Sequence, residues 1–177
     1  MNDETCFCSR YSGTMNAQIK ESLEKAKIKL VEMKPPKYEY VTSTHFGNVV
    51  YFSGKTAQVD GLIKTQGKLG QELSVEQGRE AARICAINLL SQIEADIGLE
   101  NVEQILKLLG FVASEPDFYE QPTVVNAASE LFVQVLGNRG KHARSAIGVA
   151  ALPGNSPVEL ELVVLTTRDA SEIVRTR

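Results

Sequence analysis

Apolar positions along the chain recur on two different periods. In "NAQIKESLEKAKIKL" (16–30), Ile19, Leu23, Ala26 and Leu30 fall at helical spacing, with Asn16 suited to the N-cap. "KPP" at 34–36 stops this helix, because the residue before a proline avoids the helical region. "YEYVTST" (38–44) then alternates as a strand does, and "NVVYFSG" (48–54) is a continuous apolar run edged by Gly47 and Gly54. The following twenty residues, rich in Gly, Lys and Gln, read as a loop.

The clearest helix is "LSVEQGREAARICAINLLSQIEADIG". Ser74 and Gln77 form a capping-box pattern, Glu76 lies in the first turn, and Gly98 supplies a stop. Val75, Ala82, Ala86, Leu89, Ile93 and Ile97 line one stripe. "QILKLLGFVAS" (104–114) reads as a long buried strand, 115–122 as a loop, and "TVVNAASELFVQVLG" (123–137) as a second long helix. Two strands close the pattern, at 143–151 and 157–167, with "LPGNSP" as the turn between them and a charged tail after. The order helix, strand, strand, helix, strand, helix, strand, strand predicts an α+β fold, with two long helices packed on one face of a mixed sheet. "LELVVL" is apolar toward both faces, so the sheet's second face is expected to be covered by self-association.

Composition changes this picture little. The 177 residues suit one domain with an appendage, and the net charge of −3 lacks the basic face of a dedicated nucleic-acid binder. No stretch reaches the ~18 apolar residues of a membrane span, and no signal peptide is apparent, so a soluble, cytoplasmic protein is expected. Cys85 falls in an apolar helical pattern and reads as a buried free thiol. "CFC" (Cys6, Cys8) has no second ligand pair and makes a poor metal site. Residues 1–15 read as a flexible tail, with Met15 a possible alternative start, followed by a helix and linker at 16–35, the main domain at 36–168 and a tail at 169–177.

The chemistry narrows by elimination. There is no G-x-S-x-G elbow, zinc motif or phosphate-binding glycine loop, and only two histidines, His45 and His142. What stands out is charge inside apolar strands: Arg144 opens one, and Glu159 and Glu161 interrupt the next. One reading pairs Arg144 with Glu159 in a salt bridge between neighbouring antiparallel strands. The other makes them a small-molecule site, Arg144 gripping a carboxylate through its planar fork and Glu159 orienting a water or taking a proton.

"ARSAIGVAALPGNSPVELELVV" resembles the C-terminal signature of the RidA/YjgF family, the reactive-intermediate (enamine/imine) deaminases, also called L-PSP endoribonucleases or perchloric-acid-soluble proteins. The similarity extends back through "GNVVYFSG" and "VVNAASELF", over about residues 38–167. It implies a chorismate-mutase-like fold and a homotrimer, with three sheets facing a central barrel and sites in the clefts between subunits. It further implies hydrolysis of enamine or imine intermediates such as 2-aminoacrylate to 2-keto acids and ammonia, with no cofactor and no metal. Carried over by position, Arg144 holds the substrate carboxylate and Glu159 positions or activates water, while Tyr40, Ser53 and Asn126 line the site. Ala146 stands where the best-known members have a cysteine, and the chain is longer than the compact members, so it resembles a longer branch. Two other functions compete: a non-catalytic trimeric binder or sensor of small carboxylates, and the ribonuclease or translation-inhibitor role of the older name. Acidic balance, few aromatics and the lack of a histidine pair weigh against the last. The expected partners are a small carboxylate and further copies of the chain, not nucleic acid or membrane.

Overall fold

The computed structural model describes residues 16–174, so Cys6, Cys8, Met15 and the proposed N-terminal tail lie outside the described residues, as do positions 175–177. Strands β1 (Ser43–Phe46), β2 (Val49–Thr56), β5 (Val102–Ala113), β6 (Ala143–Val149) and β7 (Val158–Thr166) form one mixed sheet in the order β1-β2-β7-β5-β6. Helices α2 (Val75–Asp96) and α3 (Gln121–Leu136) cover one face, and the short helix α1 (Ala17–Lys25) packs on the outside of that layer. A two-stranded ribbon, β3 (Gln58–Val59) with β4 (Leu62–Ile63), occupies part of the stretch expected to be loop. Its turn is Asp60-Gly61, both at positive φ, the short-hairpin signal that a two-residue strand was too brief to announce.

α2 forms as its sequence predicts. The Ser74 hydroxyl accepts from Gln77 N, and the Gln77 side chain accepts from Ser74 N. Cys85 is a buried free thiol on this helix, its Sγ 3.4 Å from the Val158 carbonyl, and burial pushes its pKa well up.

α1 is shorter than expected. It ends in a Schellman arrangement in which Ile28 N donates to Leu23 O and Lys27 N to Glu24 O, with Ile28 and Leu23 both buried. Lys27 takes the left-handed conformation (φ 54°) that glycine usually fills, so composition alone hid the stop. The strand expected at 38–44 is also cut down, to Ser43–Phe46. Here the Thr42 and Ser43 hydroxyls turn to Asp96 Oδ2, at 3.0 and 2.7 Å, tying the segment to the end of α2.

The larger correction concerns the C-terminal strands. β6 and β7 are not neighbours: β5 lies between them, parallel to β6 and antiparallel to β7. A parallel pair needs a crossover, and α3 supplies it between β5 and β6. "LPGNSP" therefore bridges over a strand rather than closing a hairpin.

Alternation along β7 sorts the two faces. Val158, Leu160, Leu162 and Val164 are buried under the helices, while Glu159, Glu161, Val163 and Leu165 point to the other side. On that open face stand also Leu109, Phe111 and Ile147, with Tyr51 and Phe46 toward the β1 edge, 52% and 88% exposed. On the covered face, α3 sits close enough to β5 that a Cβ at Gly110 would lie 2.7 Å from a Val125 methyl. Gly110→Ala is expected to destabilise the chain by about 1–3 kcal/mol through overpacking. Denaturant unfolding checks this, and Gly110→Ala/Val125→Ala should lose less than the two single changes summed.

Candidate functional site

Arg144 lies on the edge strand β6, beside Leu108 of β5, and so points to the helix-covered face. There its Nη1 donates to Asn126 Oδ1 (3.1 Å) and to Ser129 Oγ (3.0 Å), two residues one turn apart on α3. Asn126 is itself oriented: its Nδ2 donates to Glu130 Oε1 (2.7 Å), and Glu130 also receives Arg79 of α2 at 3.1 Å. The amide oxygen is thus left for the arginine. Beyond Ser129, His142 approaches with Nε2 3.0 Å from the hydroxyl and Nδ1 2.7 Å from the Gly140 carbonyl.

Both hydrogens on Nη1 are engaged, whereas Nη2 and Nε have no partner among the described residues. No carboxylate comes within ion-pair distance of Arg144 among the described residues. A half-buried guanidinium held at one corner by neutral acceptors presents, on its Nη2–Nε edge, the donor geometry that suits a planar anion. Ala146, two residues along the same face, packs against the core beside it.

Glu159 belongs to a different place. It pairs with Thr56 of β2 and Phe111 of β5 and points to the open face. Its register position is three residues and two strands from Arg144, about 10 Å in each direction. The two side chains leave opposite faces of the sheet, so the expected salt bridge between adjacent strands does not form. Gly54, in the irregular part of β2, makes room for the Glu159 carboxylate, since a Cβ there would collide with Oε1. Burial, and then the neighbouring Glu161, raises the Glu159 pKa above the usual carboxylate value. Ser53 sits next to Gly54, but its hydroxyl donates to the Val41 carbonyl at 2.7 Å and serves to hold the 38–42 segment. Tyr40 lies in that segment, half-exposed.

The six residues singled out from sequence therefore fall into two groups. Arg144, Asn126 and Ala146 share the α3–β6 flank, and Glu159 and Ser53 share the β2–β7 region, with Tyr40 tethered through Ser53. Ser129, Glu130 and His142 were missed. The i, i+3 spacing of Asn126 and Ser129 was the only signal for the first, and it carries no meaning until Arg144 is known to lie against that helix.

A model of the family described as "YjgF/chorismate mutase-like, putative endoribonuclease" matches residues 21–167. The chain belongs to this YjgF family. A curated relative in Trypanosoma cruzi, Protein TCP17, is 38% identical over 151 residues, 84% of this chain and 94% of its own. Among solved structures, Atu1372 of Agrobacterium tumefaciens, of unknown function, is 37% identical, with a TM-score of 0.78 over 86% of this chain and 94% of its own. A Shewanella oneidensis protein also described as a "putative endoribonuclease" is 26% identical, with a TM-score of 0.79 over 83% of this chain and 98% of its own. The mixed α+β fold is that of the YjgF family. No helix among the described residues is long and apolar enough to cross a membrane.

The raised pKa of Glu159 has a consequence for stability. The native chain holds that proton more tightly than the unfolded chain, so its stabilising effect is full below the ordinary carboxylate pKa and is lost as pH rises through the raised one. Glu159→Gln is therefore expected to raise Tm at neutral pH and to leave it nearly unchanged near about pH 3.5. Thermal melts at the two pH values check this; an equal shift at both would contradict it.

Proposed function

We propose that this protein hydrolyses reactive enamine and imine forms of amino acids, of the 2-aminoacrylate type, to 2-keto acids and ammonia, in clefts between the subunits of a homotrimer. The observation that carries the reading is the Arg144 guanidinium, pinned through Nη1 to Asn126 and Ser129 and, among the described residues, without a partner along its Nη2–Nε edge. That edge matches a carboxylate through two parallel hydrogen bonds.

A general base is also at hand, in Glu159, but on the opposite face of the same chain. The Arg144 flank of one copy set against the open sheet face of the next resolves this. An exposed face bearing Phe46, Tyr51 and Ile147 among half-buried Leu109, Phe111, Val163 and Leu165 has the apolar character of an interface. In a closed ring of three, one copy's Arg144 flank adjoins the next copy's open face, so each cleft takes Arg144, Asn126 and Ala146 from one copy and Glu159, Ser53 and Tyr40 from another.

The chemistry asks little of the protein. Protonated at C3, 2-aminoacrylate becomes an imine whose C2 is electrophilic. Arg144 fixes the carboxylate on C2. Water attacks C2 as Glu159 accepts its proton, the new C–O bond giving a carbinolamine. Glu159 passes that proton to nitrogen, the carbinolamine hydroxyl proton follows it there, and the C–N bond breaks with its electron pair on the leaving ammonia as the C=O bond forms. The raised pKa makes Glu159 a stronger base than an exposed carboxylate, and the remaining gain is proximity and orientation.

A ribonuclease reading finds less support. His45 is on β1 and His142 precedes β6, the two opposite edges of the sheet, so one chain offers no histidine pair. The open face carries Glu159 and Glu161, which repel phosphate.

With 2-aminoacrylate generated in situ by a dehydratase, the protein is expected to accelerate keto-acid release, and Arg144→Ala to reduce the acceleration about a hundredfold or more. Carboxylate binding without acceleration would leave a binder in place of an enzyme, and RNA cleavage that survives Arg144→Ala would overturn both. Arg144→Ala and Glu159→Gln chains, each inactive alone, should regain about one quarter of the sites when refolded together, as expected for a ring whose sites draw on two copies. No recovery would place both residues in one subunit's site.

A further inference from the structure

His142 is not among the residues that the deaminase reading uses, yet it ends the hydrogen-bond chain that holds Arg144. Its two ring nitrogens have fixed roles. Nδ1 faces the Gly140 carbonyl at 2.7 Å, which can only accept, so Nδ1 carries the hydrogen. In the neutral ring Nε2 is then a bare acceptor, and Ser129, 3.0 Å away, donates its O–H to it. The same Ser129 oxygen accepts from Arg144 Nη1 at 3.0 Å. The chain of donors runs one way, from Arg144 through Ser129 to His142.

The frame around the ring is rigid. Gly140 lies so close to α3 that a Cβ would collide with the Phe132 carbonyl, which fixes the carbonyl facing Nδ1. Phe132 packs edge-on against the imidazole at 6.0 Å and 82°. Other charges nearby are engaged elsewhere or face away. Glu130 of α3 holds Arg79 and Asn126, Lys107 of β5 reaches Ser145 on the open face, and Arg139 donates to the Val102 carbonyl. Lys141, next in the chain, is exposed. Arg144 is the charge that acts on the ring: burial first, and Arg144 after it, hold the His142 pKa below the usual histidine value despite the Gly140 carbonyl.

We propose that His142, acting through Ser129, couples the uptake of a proton to the capture of a carboxylate at Arg144. When the ring takes a proton, Nε2 becomes a donor and Ser129 must turn its own hydrogen to another acceptor. The Ser129 hydroxyl then turns to a backbone carbonyl of the preceding turn of α3, and a carboxylate on the Nη2–Nε edge of Arg144 supplies the negative charge that offsets imidazolium against guanidinium. Binding and protonation then favour each other by the same factor. His142 is a positioning residue in this scheme, and the scheme rests on Arg144 being the carboxylate site.

The test uses the full-length protein and pyruvate as the probe anion. Pyruvate should bind about fivefold or more tightly at about pH 5 than at about pH 8. In the proposed assembly a second copy's Glu159 also faces the anion, so the titration is run in the Glu159→Gln background, which removes that group. His142→Gln should keep pyruvate binding and flatten its pH dependence, and Ser129→Ala should weaken the coupling. On the chain with His142 intact, NMR titration of the ring should show its pKa rising when pyruvate is added, a readout that a purely structural histidine would not give. Binding that persists in Arg144→Ala overturns the site itself. Binding lost in Arg144→Ala, with an unchanged pH profile in His142→Gln or no shift of the His142 resonance, overturns the coupling alone.

Discussion

The parallel pairing of β6 with β5 is the constraint on which the rest of this structure depends. It requires α3 to cross over, and it inserts β5 between the two C-terminal strands. Arg144 then opens an edge strand under the flank of α3, where Asn126 and Ser129 wait at one-turn spacing. Gly110 of β5, with no side chain, lets Val125 bring the helix down onto this pair. A side chain there would lift α3, and the arginine would lose the acceptors that give its guanidinium one orientation.

The same pairing separates the two groups that the proposed chemistry would use. With β5 between them they leave opposite faces, each carrying an uncompensated charge in a half-buried setting. Both charges are costly in a lone chain: the arginine edge lacks an acceptor, and Glu159 is held near Glu161 with its pKa raised. An apolar sheet face beside such groups is the feature on which the proposed assembly and carboxylate capture rest.

Burial and Glu161 raise the Glu159 pKa, so keeping its carboxylate charged at neutral pH works against the fold, and Gly54 gives up a side chain to make room for it. Lys27 occupies a left-handed position without glycine, yet Ile28 and Leu23 bury enough surface to hold the turn. Around Arg144, by contrast, every member of the chain from Arg79 through Glu130, Asn126 and Ser129 to His142 has a partner. That continuity makes the guanidinium's orientation a property of the network and not of one contact.

Local chemistry made much of this protein legible from its sequence. The stripe of α2 and its Ser74–Gln77 capping box, the two-helix α+β order, and the alternation that sends Glu159 to the face opposite Leu160 follow from periods and caps written within a few residues. The Arg-Ser and Val-Glu pattern pointed to Arg144 and Glu159 as the charges that matter. Which strands are neighbours is a non-local matter, and no period along 143–167 records it. The short end of α1, the Asp60-Gly61 ribbon and the loss of strand at 38–42 to Asp96 likewise depend on backbone bonds to distant or non-glycine partners. So the sequence by itself determined the layers and singled out the charged strand positions, because those rest on local periodicity and on residue type. Only the tertiary structure decided that Arg144 answers to Asn126, Ser129 and His142 and stands apart from Glu159, because that rests on which elements touch.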